Sequence, residues 1–205
     1  MEEKEIRRIR LRLIDLVKSF FLGEPDAEKM SRWRGTFSAL ARESVNPVFD
    51  QGVRDILDFL QEKNLEELQN EYYKLFTDPF TDKGLCTVAS FYLDGRTHDK
   101  TLVNLRGFLR EQQIIKSDGV VETEDSLTVM LDILTRLIEE EEKQEKGVSQ
   151  KSQEELLDSY LIPFSEKLKE ACEKNQFADF YKACCRFFCG YLELEKGLTG
   201  TVVYS

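Results

Sequence analysis

EYYKLFTDPFTDKGLCTVASFYLDGR, residues 71–96, begins as a helix and then stops being one. Leu68, Tyr72, Leu75 and Phe76 fall on one side of a helical wheel. The pattern breaks at Asp78 and Pro79, because proline has no N–H and disfavours helix in the residue before it. An irregular segment follows that carries Phe80, Phe91 and Tyr92 and closes on the turn-forming Asp94 and Gly95. Helical patterns lie on both sides. Irregular backbone between helices needs partners for its peptide groups, so this aromatic insert is expected to lie against other elements, as the wall of a binding groove.

Upstream, Ile6, Ile9, Leu13, Leu16, Val17 and Phe20 recur at three- and four-residue steps and predict a helix over 4–22, ending near Gly23. Ala27, Met30, Trp33, Phe37 and Leu40 predict a second over 26–41. Asn46 before Pro47 is a capping side chain ahead of a residue with fixed φ, and starts a third helix that runs to about residue 63. Asn64 with Glu67 forms a capping box for a fourth.

Downstream, Leu102, Leu105, Phe108 and Leu109 mark a helix over about 99–113, and Ser117, Asp118 and Gly119 a turn. VETEDS then leads into a helix with Leu127, Met130, Leu131, Leu134, Leu137 and Ile138. Glu122, Glu124 and Asp125 sit where negative charge suits a helix N-terminus. Residues 139–155, EEEEKQEKGVSQKSQEE, read as a solvated helix end and linker, with Ser152 and Glu155 boxing the next start. Leu156, Leu157, Tyr160, Leu161, Phe164 and Leu168 follow, with Pro163 as a kink or restart. The last helix, about 176–196, is apolar over much of its circumference, which predicts central burial. Gly197 is expected to end it before the short tail TVVYS. No stretch alternates long enough to build a sheet, so the chain reads as all-α.

The 205 residues suit one domain, and 41% apolar with 33% charged residues is a soluble globular balance. Eleven glycines and four prolines fall below the usual combined share of about 12%. A net charge of −10 argues against nucleic acid or an anionic membrane as the main partner and favours a cationic peptide. No apolar run reaches the roughly 18 residues of a membrane span. The run RRIRLRLI from Arg7 imitates a twin-arginine export signal, but Arg10, Arg12, Asp15 and Lys18 interrupt the apolar region such a signal requires. It reads as a first helix with a charged outer face.

Catalytic and metal chemistry find little to work with. The one histidine, His98, lies in a polar turn, which removes sites built on paired Glu-x-x-His. No phosphate-cradling glycine loop occurs. Glu122, Glu124 and Asp125 could pose as an acid–base cluster, though a charged helix start is the simpler reading. The odd count of five cysteines points to reduced thiols in the cytosol. Cys185 and Cys189 share a helical face beside Cys184, but their spacing matches no established ligand pattern, so they read as small core hydrophobes. We expect no metal and no cofactor. An apolar wall at 73–92 with an acidic rim at 122–125 instead fits a peptide carrying arginines beside an apolar run.

The order of these motifs resembles the TorD/DmsD/NarJ family of cytosolic chaperones for molybdenum oxidoreductases. E-Y-Y-K-L-F-x-x-P is followed by S-F-Y-L-D-G and then by E-x-E-D-S-L leading into a leucine-rich helix. Tyr160-Leu161-Ile162-Pro163-Phe164, with Phe180 and Tyr181 later, resembles the family's H-L-x-P-W and F-Y patterns. The resemblance covers about residues 1–196. It implies a multi-helix bundle in two lobes: an N-terminal lobe about 1–138, an acidic hinge about 139–155, a C-terminal lobe about 156–196 and a tail 197–205. It further implies a non-enzymatic, cytoplasmic protein, a monomer or lobe-exchanged dimer. Its partner would be the twin-arginine leader or N-terminal segment of a molybdoenzyme catalytic subunit, held until cofactor insertion is complete. Carried over by position, the peptide-binding residues are Tyr73, Phe76, Phe80, Phe91 and Tyr92 on the aromatic side, and Glu122 and Asp125 on the acidic side. Ser126 stands where the family has histidine. Tyr160 and Phe164 likewise replace the family's histidine and tryptophan, and Glu124 its proline. The rival readings are an acidic helical scaffold without leader binding and a helical enzyme.

Overall fold

The computed structural model describes residues 3–81, 84–141 and 146–199. The elements in order are α1 (Glu3–Phe21), α2 (Ala27–Leu40), α3 (Pro47–Glu62), α4 (Leu65–Tyr72), a π-helical turn (Tyr73–Thr77), α5 (Ala89–Leu93), α6 (Lys100–Glu111), α7 (Leu127–Glu140), α8 (Lys146–Leu156), a second π-helical turn (Leu157–Leu161), α9 (Ile162–Lys174) and α10 (Phe180–Thr199). No strand occurs among the described residues, and the fold is all-α.

Local chemistry sets most boundaries. Asn46 accepts the Phe49 N–H at 2.8 Å, and Asn64 and Glu67 complete the capping box with two 3.0 Å bonds. Gly23, at φ +76°, ends the first helix region in a conformation few L-residues adopt. Both π turns adjoin a proline. Asp78 turns extended ahead of Pro79 after donating to the Tyr73 carbonyl at 2.8 Å. Ile162 donates back to Leu157 just before Pro163. A widened turn gives the proline ring room where the normal helical hydrogen bond is lost.

The α10 helix is the centre. It packs most extensively on α3, and also on α9, α1 and α8. Phe180, Tyr181, Phe187, Phe188 and Tyr191 are fully buried in it. Phe20, Trp33, Phe37, Phe49 and Phe180 gather around Phe187 and one another at ring separations of 5.0–6.2 Å. Each such ring withdrawn from water contributes about 1.5–3 kcal/mol. Two polar edges are matched: Trp33 Nε1 donates to Ser19 Oγ at 2.7 Å, and Tyr181 donates to the Phe20 carbonyl at 3.0 Å. Close approach of α3 and α10 depends on Gly52 and Gly190, each facing the backbone of the other helix.

Four expectations are corrected. Arg10 does not belong to a charged outer face; it is buried, donating to Glu195 at 2.9 Å, Glu141 at 2.8 Å and Gln153 at 2.6 Å. Burial opposes its charge, but Glu195 and Glu141 overcome that and hold its pKa above the ordinary value. The acidic stretch is not simply linker. Residues 139–140 end α7, and Lys146–Leu156 is helix α8, where Ser149, Ser152 and Gln153 are buried. Glu141 caps the end of α7, whereas 142–145 of the expected hinge and 200–205 of the expected tail lie outside the described residues. Ser152 does not start a helix; it lies within α8 and donates to Gln112 at 2.6 Å. Finally, α10 starts at Phe180 rather than 176 and runs past Gly197, because its first N–H groups are capped from far away in sequence. Glu71 accepts those of Asp179, Phe180 and Tyr181 at 2.8, 3.1 and 2.9 Å.

Candidate peptide-binding site

The insert's irregular backbone finds its partners in three places. The Leu85 N–H returns to the Leu75 carbonyl at 2.7 Å, folding residues 84–86 against the first π turn. Cys86 N–H donates to the Tyr92 hydroxyl at 3.3 Å. Val88 forms an antiparallel bridge with Ser126, where Leu127 N–H donates to Thr87 and Ala89 N–H to Asp125, both at 2.8 Å. This bridge joins the aromatic insert to the acidic segment before α7, far apart though they are in sequence.

Part of the insert is helical after all. Ala89–Leu93 forms α5, and its first turn is capped by Asp125, whose Oδ2 accepts the Ser90 N–H at 3.0 Å. Ser90 in turn accepts the His98 N–H at 3.1 Å, and Asp94 the Thr101 N–H at 2.8 Å, so α5 also orients the turn into α6.

The residues singled out from sequence separate into distinct environments. Phe91 and Tyr92 lie on α5 with rings 5.0 Å apart and edge to face; Tyr92 also leans on Phe164 of α9 at 5.9 Å, while Phe91 is half in solvent. Burial pushes the Tyr92 phenol pKa up, so the hydroxyl is neutral. Phe80 is 92% exposed and Tyr73 is exposed. Phe76 turns inward, 4.9 Å from Tyr181, 5.1 Å from Tyr72 and 6.1 Å from Phe21. Asp125 is fully buried; its second oxygen, Oδ1, has no hydrogen-bond partner among the described residues. Ser126 is buried as the cap of α7, accepting the Val129 N–H at 3.4 Å. Glu122 alone of the acidic trio is open, its carbonyl accepting from Lys116 at 2.8 Å.

Glu124 is engaged by Arg106 of α6 through Nε at 3.0 Å and Nη2 at 2.9 Å. Burial resists ionisation of Glu124, but the guanidinium outweighs it and holds the carboxyl below its usual range. Arg106, Ser90 and the capping role of Asp125 were invisible in the sequence. Nothing in the spacing announces an ion pair between α6 and the segment before α7, or a carboxylate that caps a helix lying before it. Phe91 is the exposed aromatic group of α5, and Glu122 the exposed member of the acidic trio before α7. Among the described residues no His, Cys, Asp and Glu cluster could hold a metal ion.

An all-helical bundle in which a short bridge joins the aromatic insert to the segment before α7 is the class defined here. The nitrate reductase delta subunit family model matches residues 46–170, and the chain belongs to that family. In fold it is similar to a provisionally assigned redox enzyme maturation protein of Archaeoglobus fulgidus: TM-score 0.54, 19% identity, 90% of this chain and 94% of that one covered. No curated protein matches the chain.

Proposed function

We propose that this protein is a cytoplasmic maturation chaperone. It binds the twin-arginine leader, or an equivalent N-terminal segment, of a molybdopterin-dependent oxidoreductase catalytic subunit and retains it until cofactor insertion and assembly are complete. Membership of the delta subunit family supports the class, and the described residues include no helix long and apolar enough to cross a membrane. The observation that carries the leader reading is the Val88–Ser126 bridge, which sets the aromatic insert beside the acidic segment.

The residues divide the work. Tyr73, Phe80, Phe91 and Tyr92 receive apolar leader side chains, while Phe76, packed inward, supports them from below. Glu122 meets a leader arginine directly. A second arginine reaches Glu124 by displacing Arg106. Asp125 and Ser126 hold the wall in place by capping α5 and α7. Exposed ion pairs contribute only about 0–1 kcal/mol each, so the aromatic contacts carry most of the roughly 8 kcal/mol that a micromolar complex needs.

Titration calorimetry with a leader peptide from a molybdoenzyme encoded beside this chain tests the proposal. Micromolar binding is expected, weakened about tenfold or more by Phe91→Ala and severalfold by alanine at the leader arginines. Absence of measurable binding would favour the acidic scaffold reading.

A further inference from the structure

We propose that Cys172 and Cys185 form a modification site: a thiol pair that a peroxide oxidises to a disulfide, tying α9 to α10 beneath α5. The inference stands independently of leader binding. Their sulfurs lie 3.0 Å apart, roughly 1 Å beyond a disulfide bond and closer than any other thiol contact described. Both are fully buried, and they sit thirteen positions apart on the hairpin that α9 and α10 form. Of the other three cysteines, Cys184 is fully buried beside Cys185 on α10, Cys189 points at Ser165, with Sγ 3.6 Å from its carbonyl and its hydroxyl, and Cys86 is half-buried in the insert.

The pair also lies under the candidate site. Tyr92 accepts the Cys86 N–H at 3.3 Å, and α5, which carries Tyr92, packs on α9, which carries Cys172. Tyr92 rests on Phe164 of α9, so a covalent tie between α9 and α10 would fix the floor on which α5 sits.

The chemistry balances with hydrogen peroxide as the two-electron oxidant. One thiol, as its thiolate, attacks an oxygen of the peroxide, the O–O bond breaks, and a sulfenic acid and one water result. The second sulfur attacks the first, the S–O bond breaks and a second water leaves; two thiols and one peroxide become one disulfide and two waters. Burial raises the Cys185 thiol pKa well above its ordinary value, so thiolate is scarce and the reaction is slow, paced by local opening.

The test is mass spectrometry of the native, full chain treated with hydrogen peroxide, then denatured and alkylated. The expected product is lighter by about 2 Da before alkylation, carries three alkyl groups, and yields one cross-linked peptide joining Cys172 to Cys185. Dithiothreitol should restore the starting mass. Cys185→Ala and Cys172→Ala should each abolish the product, whereas Cys86→Ser should retain it. The proposal is overturned if peroxide adds oxygen to Cys86 while the 172–185 bridge stays undetected. It is equally overturned if the cross-link joins any other pair. Because the wild-type peptide map decides the matter alone, misfolding of a core variant does not rescue the idea.

Discussion

Alanine at Gly190 or Gly52 places a methyl group where two helices touch through their backbones. At Gly190 the added Cβ would lie 2.8 Å from the Phe49 nitrogen and 2.9 Å from its Cα; at Gly52 it would lie 2.7 Å from the Phe187 Cα. Ordinary contacts of such a carbon fall at 3.4–4 Å. Since the obstacles are main chain, no side chain can swing away, and α3 and α10 must move apart. Overpacking of this kind costs about 1–3 kcal/mol. Alanine's better helix propensity returns about 0.5–1 kcal/mol, leaving each variant destabilised by up to roughly 2.5 kcal/mol. The double variant should lose less than the sum, because an interface opened for one methyl already accommodates part of the other. Gly35 and Gly107, in α2 and α6, have nothing within 4 Å of where the new methyl would sit. They serve as controls, gaining about 0.5–1 kcal/mol on the same change. Urea denaturation of the wild type, the single variants and the double variant separates the effects, with melting shifts of about 2–4 °C per kcal/mol. If Gly190→Ala behaves like Gly35→Ala, the close helix crossing is wrong.

Other consequences follow from single contacts. Arg10→Met leaves Glu195 buried without its cation and should cost about 3–5 kcal/mol in chemical denaturation, most of it recovered by adding Glu195→Leu. Glu71→Ala removes the acceptor for three N–H groups at the start of α10, and a loss of about 1–2 kcal/mol with faster amide exchange at Phe180 and Tyr181 is expected. Asp125→Ala should free the Ser90 amide, lowering its exchange protection about tenfold while leaving the core of α10 unaffected. Glu67, held below its ordinary pKa first by the Asn64 N–H and then by Lys63, contributes stability above the usual carboxylate range that is lost as pH falls through its lowered pKa. Melting temperatures of wild type and Glu67→Gln should therefore converge in acid; a difference that persists unchanged at low pH would contradict the assignment.

Most helices were legible because their causes are local. The period of Leu13, Leu16, Val17 and Phe20, the caps at Asn46 and Asn64, and the breaks at Pro79 and Pro163 act within a few residues of themselves. The apolar circumference of the last helix likewise announced its burial. By itself, then, the sequence determined the all-α class, the central helix and an aromatic insert that had to lie against something. Tertiary structure alone decided the partners. It buried Arg10 by supplying Glu195 from the far end of the chain, moved the start of α10 to where Glu71 could cap it, and turned Asp125 from a rim charge into the cap of α5. It also set Arg106 on Glu124, leaving Glu122 as the open carboxylate of the acidic trio. The physical reason is the same each time: a buried charge or an unpaired N–H takes whichever partner the packed chain brings within about 3 Å, and sequence distance carries no record of that meeting.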